Sequence, residues 1–147
     1  MRFFRGKAVL FYEKIGAEEK DYTNVKKTLE RIKEKPIFFK IDIEGYEYQI
    51  LDEIILNSEL LSGMVIEFHN IYDHIDEIRT FINNFELTLV HVHPNNNRID
   101  DQGNPRAIEM SFARNPEKLS ESSVLPHPLD QLNVPRKEAV SLRFINS

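Results

Sequence analysis

Five side chains in the middle of this chain have types and spacings suited to acid–base chemistry: Asp42, Glu44, Glu67, His69 and His93. Each stands at or just beyond the end of a short apolar run. Residues 37–43 (IFFKIDI) deliver Asp42 and then Glu44 and Gly45. Residues 64–69 (MVIEFH) deliver Glu67 and His69, and residues 87–93 (LTLVHVH) deliver His91 and His93, followed by Asn95. Open α/β sheets bind ligands at the carboxyl ends of their strands, so three neighbouring parallel strands would aim these groups at one rim. Two chemistries suit the set. A carboxylate or an imidazole takes a proton from a substrate hydroxyl, or Asp42, Glu44, His69 and His93 offer nitrogen and oxygen ligands to a divalent ion. No ligand set is assigned, because His91 and His93, two apart on one strand, would stand about 6–7 Å apart. Plainer roles stand beside these. A strand-end histidine caps a sheet, Glu47 suits the first turn of a helix dipole, and Glu67 can pair with Lys40. The run Asn95-Asn96-Asn97 fits a turn, and His127 fits a tail.

The elements that would position these groups follow from periodicity. Val25, Leu29 and Ile32 form one apolar stripe over residues 22–35, with Asp21 or Thr23 as cap and Pro36 as stop. The nearly continuous run 37–43 predicts a strand buried on both faces. Residues 46–56 predict a helix, Ser62-Gly63 a turn, and 64–69 a second strand. Asp73 can cap a helix whose core stripe is Ile75, Ile78, Phe81, Ile82 and Phe85. Residues 87–93 and 107–113 read as an antiparallel pair around a polar loop. The order predicts an α/β sheet, mostly parallel, with one antiparallel strand near its end. Residues 1–21 are ambiguous, with 7–13 a possible strand. Residues 22–115 form the domain, and 116–147 an extended, proline-containing tail to which Leu142 and Phe144 could add an edge strand.

Composition narrows the function classes. The 147 residues are 41% hydrophobic and 29% charged, which suits a globular chain. There is no cysteine, so thiol nucleophiles and Cys-zinc sites are excluded. The lack of cysteine fits a reducing compartment, and a cytoplasmic location is expected. No apolar run approaches the length of a membrane span, and the short basic start does not read as a signal peptide. Net charge is −5, but residues 36–90 carry 2 Lys/Arg against 11 Asp/Glu. That acidic middle would repel a phosphate backbone, so no nucleic-acid partner is expected.

Lys40-Ile-Asp-Ile-Glu-Gly-Tyr-Glu47, followed by an apolar helix and Val65-Ile-Glu-Phe-His69, resembles the FkbM-type methyltransferase domain. The His91-Val-His93 strand, the Asn-rich loop and Ile108-Glu-Met-Ser-Phe112 resemble its C-terminal part, so the likeness runs from about Tyr22 to Ala113. The resemblance implies a Rossmann-like sheet of strand order 3-2-1-4-5-7-6 and methyl transfer from S-adenosylmethionine, generally to a hydroxyl of a sugar or other small molecule. It makes the four strands 4, 5, 6 and 7 in chain order, a partial sheet ordered 4-5-7-6. Asp42 and Glu44 would then lie beside the cofactor's methionine end and the acceptor, with Asp42 as the cofactor-binding residue. The family's Gly-rich turn after strand 1 has no counterpart, since the five glycines stand singly at 6, 16, 45, 63 and 103. The first half of the sheet is therefore expected to be missing. That would leave an open edge on the strand at 37–43, to be covered by the chain's own segment 7–13, by a second copy of the chain or by a complementing N-terminal half, with self-association the favoured arrangement. The alternative is a non-catalytic module that associates through that edge.

Overall fold

A computed structural model describes residues 14–15, 22–117, 125–127 and 130–142. The possible strand at 7–13 and Phe144 lie outside these residues.

A short parallel pair, β1 (Lys14–Ile15) and β2 (Tyr22–Thr23), precedes α1 (Val25–Glu30). The chain then runs through β3 (Ile37–Ile41), a 3-10 turn (Glu47–Gln49), α2 (Leu51–Leu56), a second 3-10 turn (Ser58–Leu60) and β4 (Leu61–His69). After these come α3 (Ile75–Asn84), β5 (Thr88–Pro94) and β6 (Ala107–Ala113). The last four strands form one sheet in the order β3-β4-β6-β5. β3 and β4 are parallel, and β6 lies antiparallel between β4 and β5. This mixed α/β sheet is consistent with a partial Rossmann-like fold.

The helices are shorter than their periodicity suggests. α1 spans only 25–30, and its cap is Asn24 rather than Asp21 or Thr23: the Asn24 Oδ1 accepts the Lys27 N–H at 2.9 Å. The expected helix over 46–56 divides into a 3-10 turn and α2, because the buried Glu47 draws the first turn inward. α3 has no side-chain cap, and Ile75 is exposed, which leaves Ile78 and Phe81 as its buried face.

That face packs on one side of the sheet. Phe81 meets Phe68, Phe85 and Phe112 at ring-centroid distances of 6.1, 4.8 and 5.7 Å. Register places Met64 opposite Phe112, Ile66 opposite Met110 and Phe68 opposite Ile108, all buried on this side. Val25 and Leu29 of α1 and Leu51 and Ile54 of α2 join the same core.

The other side of the sheet is polar. It carries Lys40, Glu67, Glu109, Ser111, His91 and His93 at alternate positions. β3 is therefore not buried on both faces, as its apolar run suggests. Phe38 is 65% exposed, and Lys40 reaches Glu109 at 2.7 Å.

Ser62-Gly63 is also not a turn, for both residues lie inside β4. Gly63 is there because the Phe38 ring lies across it. A Cβ at Gly63 would meet Phe38 Cδ2 at 3.0 Å and the Phe112 carbonyl oxygen at 3.2 Å.

Residues 134–138 are tied to the loop that follows β5. Asn96 is buried, and its Nδ2 donates to the carbonyls of Val134, Lys137 and Glu138, while its Oδ1 accepts the Val134 N–H at 2.8 Å. One side chain thus supplies both halves of a strand-like contact.

Gly63→Ala should cost about 1–3 kcal/mol in urea unfolding, the usual penalty of overpacking. In a Phe38→Ala background the penalty should shrink, since only the Phe112 carbonyl then resists the new methyl. Equal penalties in both backgrounds would show that the ring is not the obstacle.

Candidate functional site

The end of β3 turns sharply before the first 3-10 turn. Glu44 has φ 55° and Gly45 φ 104°, two left-handed residues in succession. Glycine meets that geometry without steric cost, whereas glutamate does not. The consequence is that backbone N–H groups face inward. The Oε1 of Glu47 accepts the N–H of Gly45 at 3.1 Å and of Ile43 at 3.3 Å. Glu47 is 0% exposed.

The same oxygen has a third donor. His69 at the end of β4 places its Nδ1 2.9 Å from Glu47 Oε1. An ionised carboxylate only accepts, so Nδ1 carries the proton, and the lone pair of a neutral ring lies on Nε2. That second nitrogen faces Glu44 Oε2 at 3.7 Å, and Arg98 lies 3.9 Å from the same carboxylate oxygen. The arrangement is a carboxylate–imidazole pair with its reactive nitrogen at the rim. It is competent for proton transfer to and from a bound hydroxyl.

Tyr48 braces the pair. Its hydroxyl donates to the His69 carbonyl, and its ring stacks on His74 at 3.7 Å. Burial, and then the charges of Glu47, Glu77 and Asp73, push the Tyr48 phenol well above its ordinary range.

The sequence-expected residues divide between two clusters. Asp42, Glu67 and His69 place ligand-capable atoms within 4.8 Å of one another, with Asp42 exposed. Glu67 does not pair with Lys40. Its Oε1 accepts from Asn95 Nδ2 at 2.6 Å, because Lys40 is drawn to Glu109 across the sheet. Glu44 lies beside His69 but is largely exposed. His93 belongs elsewhere, with His91 and Asp130. Asp42, Glu44, His69 and His93 therefore do not converge on one ion.

In the second cluster, burial raises the Asp130 carboxyl. The His127 backbone N–H and the charge and hydrogen bond of His91 outweigh it, and the group is held below the usual range.

Glu47 is the residue that periodicity undervalued. A first-turn glutamate two residues after a glycine, in the loop that follows a strand, is the signal that could have found it. Asn95 likewise does more than shape a turn.

The site is an open rim. A cavity of about 310 Å³ lies between α2 and α3, and one of about 1010 Å³ between the 99–105 loop and residues 137–142. Neither is lined by Asp42, Glu47 or His69. No helix among the described residues is long and apolar enough to cross a membrane.

The raised Tyr48 phenol makes a pH prediction. The folded state keeps its proton where the unfolded chain gives it up, so this contribution is whole below about pH 10 and declines as pH rises above it. Tyr48→Phe should flatten the alkaline limb of the stability curve in denaturant melts. An unchanged slope would contradict the assignment.

Comparison with known proteins gives one family. Residues 4–88 match the model of the Methyltransferase FkbM domain. The matched stretch covers more than half of the chain and includes β3, β4, Glu47 and His69. It ends at the first residue of β5, short of the likeness to Ala113 read from the sequence. No curated protein and no solved structure matches. The loop that buries Glu47 and the strand that presents His69 thus sit inside a matched domain, and the chain belongs to the FkbM methyltransferase family.

Proposed function

We propose that this chain supplies the acceptor side of an S-adenosylmethionine-dependent methyltransferase that methylates a hydroxyl of a sugar or other small molecule. The observation that carries this reading is the Glu47–His69 pair. Glu47 holds Nδ1–H at 2.9 Å, which fixes the tautomer and leaves Nε2 as the base. A hydroxyl within hydrogen-bond reach of Nε2 passes its proton there as its oxygen attacks. Glu47 then steadies the imidazolium that forms. Glu44 and Asp42 line the same rim, where their carboxylates can orient further hydroxyls of a polyol.

The cofactor, when bound, supplies the electrophilic methyl group. The described residues fit it in part. Asp42 stands at the strand end and can accept hydrogen bonds from its ammonium or ribose hydroxyls. The described glycines, 45, 63 and 103, stand singly and form no Gly-rich cradle for the rest. The order β3-β4-β6-β5 supports reading these strands as 4-5-7-6 of the family sheet. The outer side of β3 has no strand partner among the described residues. We read that edge, with the exposed Phe38 beside it, as the place where a second copy or a complementing N-terminal half completes the site.

Calorimetric titration with S-adenosylmethionine, with and without Mg²⁺, tests the reading. Micromolar binding is expected of an assembly in which a second copy or a complementing N-terminal half completes the site, and no activity of the chain by itself. His69→Gln should then lower methyl transfer by about 10²- to 10⁴-fold with cofactor affinity retained, and Glu47→Gln by less. No binding by that assembly at millimolar cofactor would contradict the reading and favour an interaction module. Light scattering at tens of micromolar should show a species larger than the monomer, and a strict monomer would remove the second-copy arrangement.

A further inference from the structure

The second cluster, His91, His93 and Asp130, lies on the polar face of the sheet, away from Glu47. Its three residues fall beyond residue 88, so the family match assigns them nothing. His91 and His93 project from β5 on the same side, and a register irregularity between Leu89 and His91 resets the strand just before them. Asp130 comes from the segment that Asn96 holds down.

The ligand geometry is close to what a metal would impose. His91 Nε2 lies 2.9 Å from Asp130 Oδ1, and His93 Nδ1 lies 3.5 Å from Asp130 Oδ2. All three donors fall within 4.8 Å of one another. A tetrahedral ion with bonds of about 2.0–2.1 Å sets its ligands about 3.3 Å apart, between the two observed separations.

The second observation concerns His93. Its Nε2 stands 3.0 Å from Asn133 Oδ1, an amide oxygen that only accepts. The ring proton therefore sits on Nε2, and the neutral ring's bare lone pair is on Nδ1. That Nδ1 is buried and has no hydrogen-bond partner among the described residues. What faces it is a carboxylate oxygen, so two acceptors point at each other across 3.5 Å. A second ring proton would resolve the conflict, and so would a cation held between the two atoms. The Asn133 contact is also the kind that metal-bound histidines make through their second nitrogen.

We propose that His91, His93 and Asp130 form a binding site for a borderline divalent transition ion such as Zn²⁺, which clasps residues 130–142 to the sheet. Two imidazoles and one carboxylate suit such an ion better than Mg²⁺ or Ca²⁺, which favour all-oxygen sets. The cluster of Asp42, Glu67 and His69 is a poorer candidate. Both clusters hold internal hydrogen bonds, that between His91 and Asp130 included, but among the described residues Asp42, Glu67 and His69 carry no buried atom without a partner, as His93 does.

The test uses the full chain, stripped with chelator and titrated with Co²⁺ alone, read by its visible d–d absorption. One equivalent should bind with a spectrum of low coordination number and be displaced by Zn²⁺. His93→Ala and Asp130→Asn should each abolish the spectrum, and Asn133→Ala should weaken uptake by about 10- to 100-fold. Asp42→Asn should bind as the parent does. Far-UV circular dichroism checks that each variant folds, and the parent titration depends on no variant. No stoichiometric uptake by the parent overturns the site. So does a spectrum that survives His93→Ala in a folded sample, or one lost in Asp42→Asn.

Discussion

Glu47 is a carboxylate with no solvent exposure, and much of the molecule's functional half is arranged around that fact. A buried carboxylate costs several kcal/mol unless it is paired and hydrogen-bonded. Here three donors gather on one oxygen: two backbone amides of the Ile43–Gly45 turn and the imidazole of His69. The left-handed Glu44 and Gly45 are the backbone's way of turning those amides inward. The divided helix after β3 follows from the same demand, since the first turn must drop Glu47 below the surface. The pairing links the end of β3 to the end of β4, the two parallel strands of the sheet. A requirement of stability thereby becomes a device of function, because the imidazole it fixes has only one nitrogen left for chemistry.

The two faces of the sheet divide labour. One is a single apolar core in which α1, α2 and α3 meet the strands, with Phe68, Phe81, Phe85 and Phe112 at its centre. The other is a charged and hydrogen-bonding surface: Lys40 with Glu109, Glu67 with Asn95, and His91 and His93 with Asp130. Parallel strands are ordinarily covered on both sides. A polar second face is a physically coherent outcome where, among the described residues, no helical layer lies on it, and it gives residues 130–142 polar partners rather than an apolar surface.

Much of this was legible in the sequence. Strands carry their signal in apolar runs of the right length: 107–113 is matched at both ends and β4 ends at His69 as read, while β3 stops two residues before its run does and β5 goes one residue further. The order β3-β4-β6-β5 matches the order that the family resemblance implied for the last four strands. What was not legible has particular causes. Gly63 resembles a turn residue until the ring of Phe38 on the neighbouring strand is placed over it. The apolar run of β3 gives no sign that Phe38 faces outward, because exposure depends on which layer is present rather than on the strand. Glu47 looks like an ordinary first-turn acid, since its burial is decided by a histidine 22 residues away. Asn96 and Asp130 act across about 40 positions, and no local pattern encodes such contacts.

The chemistry at the rim depends on Glu47 fixing the tautomer of His69. Two-bond ¹⁵N–¹H correlation on the ¹⁵N-labelled chain reads the protonation of each ring nitrogen directly. At a pH where the His69 ring carries one proton, the account predicts a protonated, pyrrole-type Nδ1 and a bare, pyridine-type Nε2. The opposite pattern, with the proton on Nε2, would mean that Glu47 does not accept from Nδ1 and that His69 presents no base at the rim.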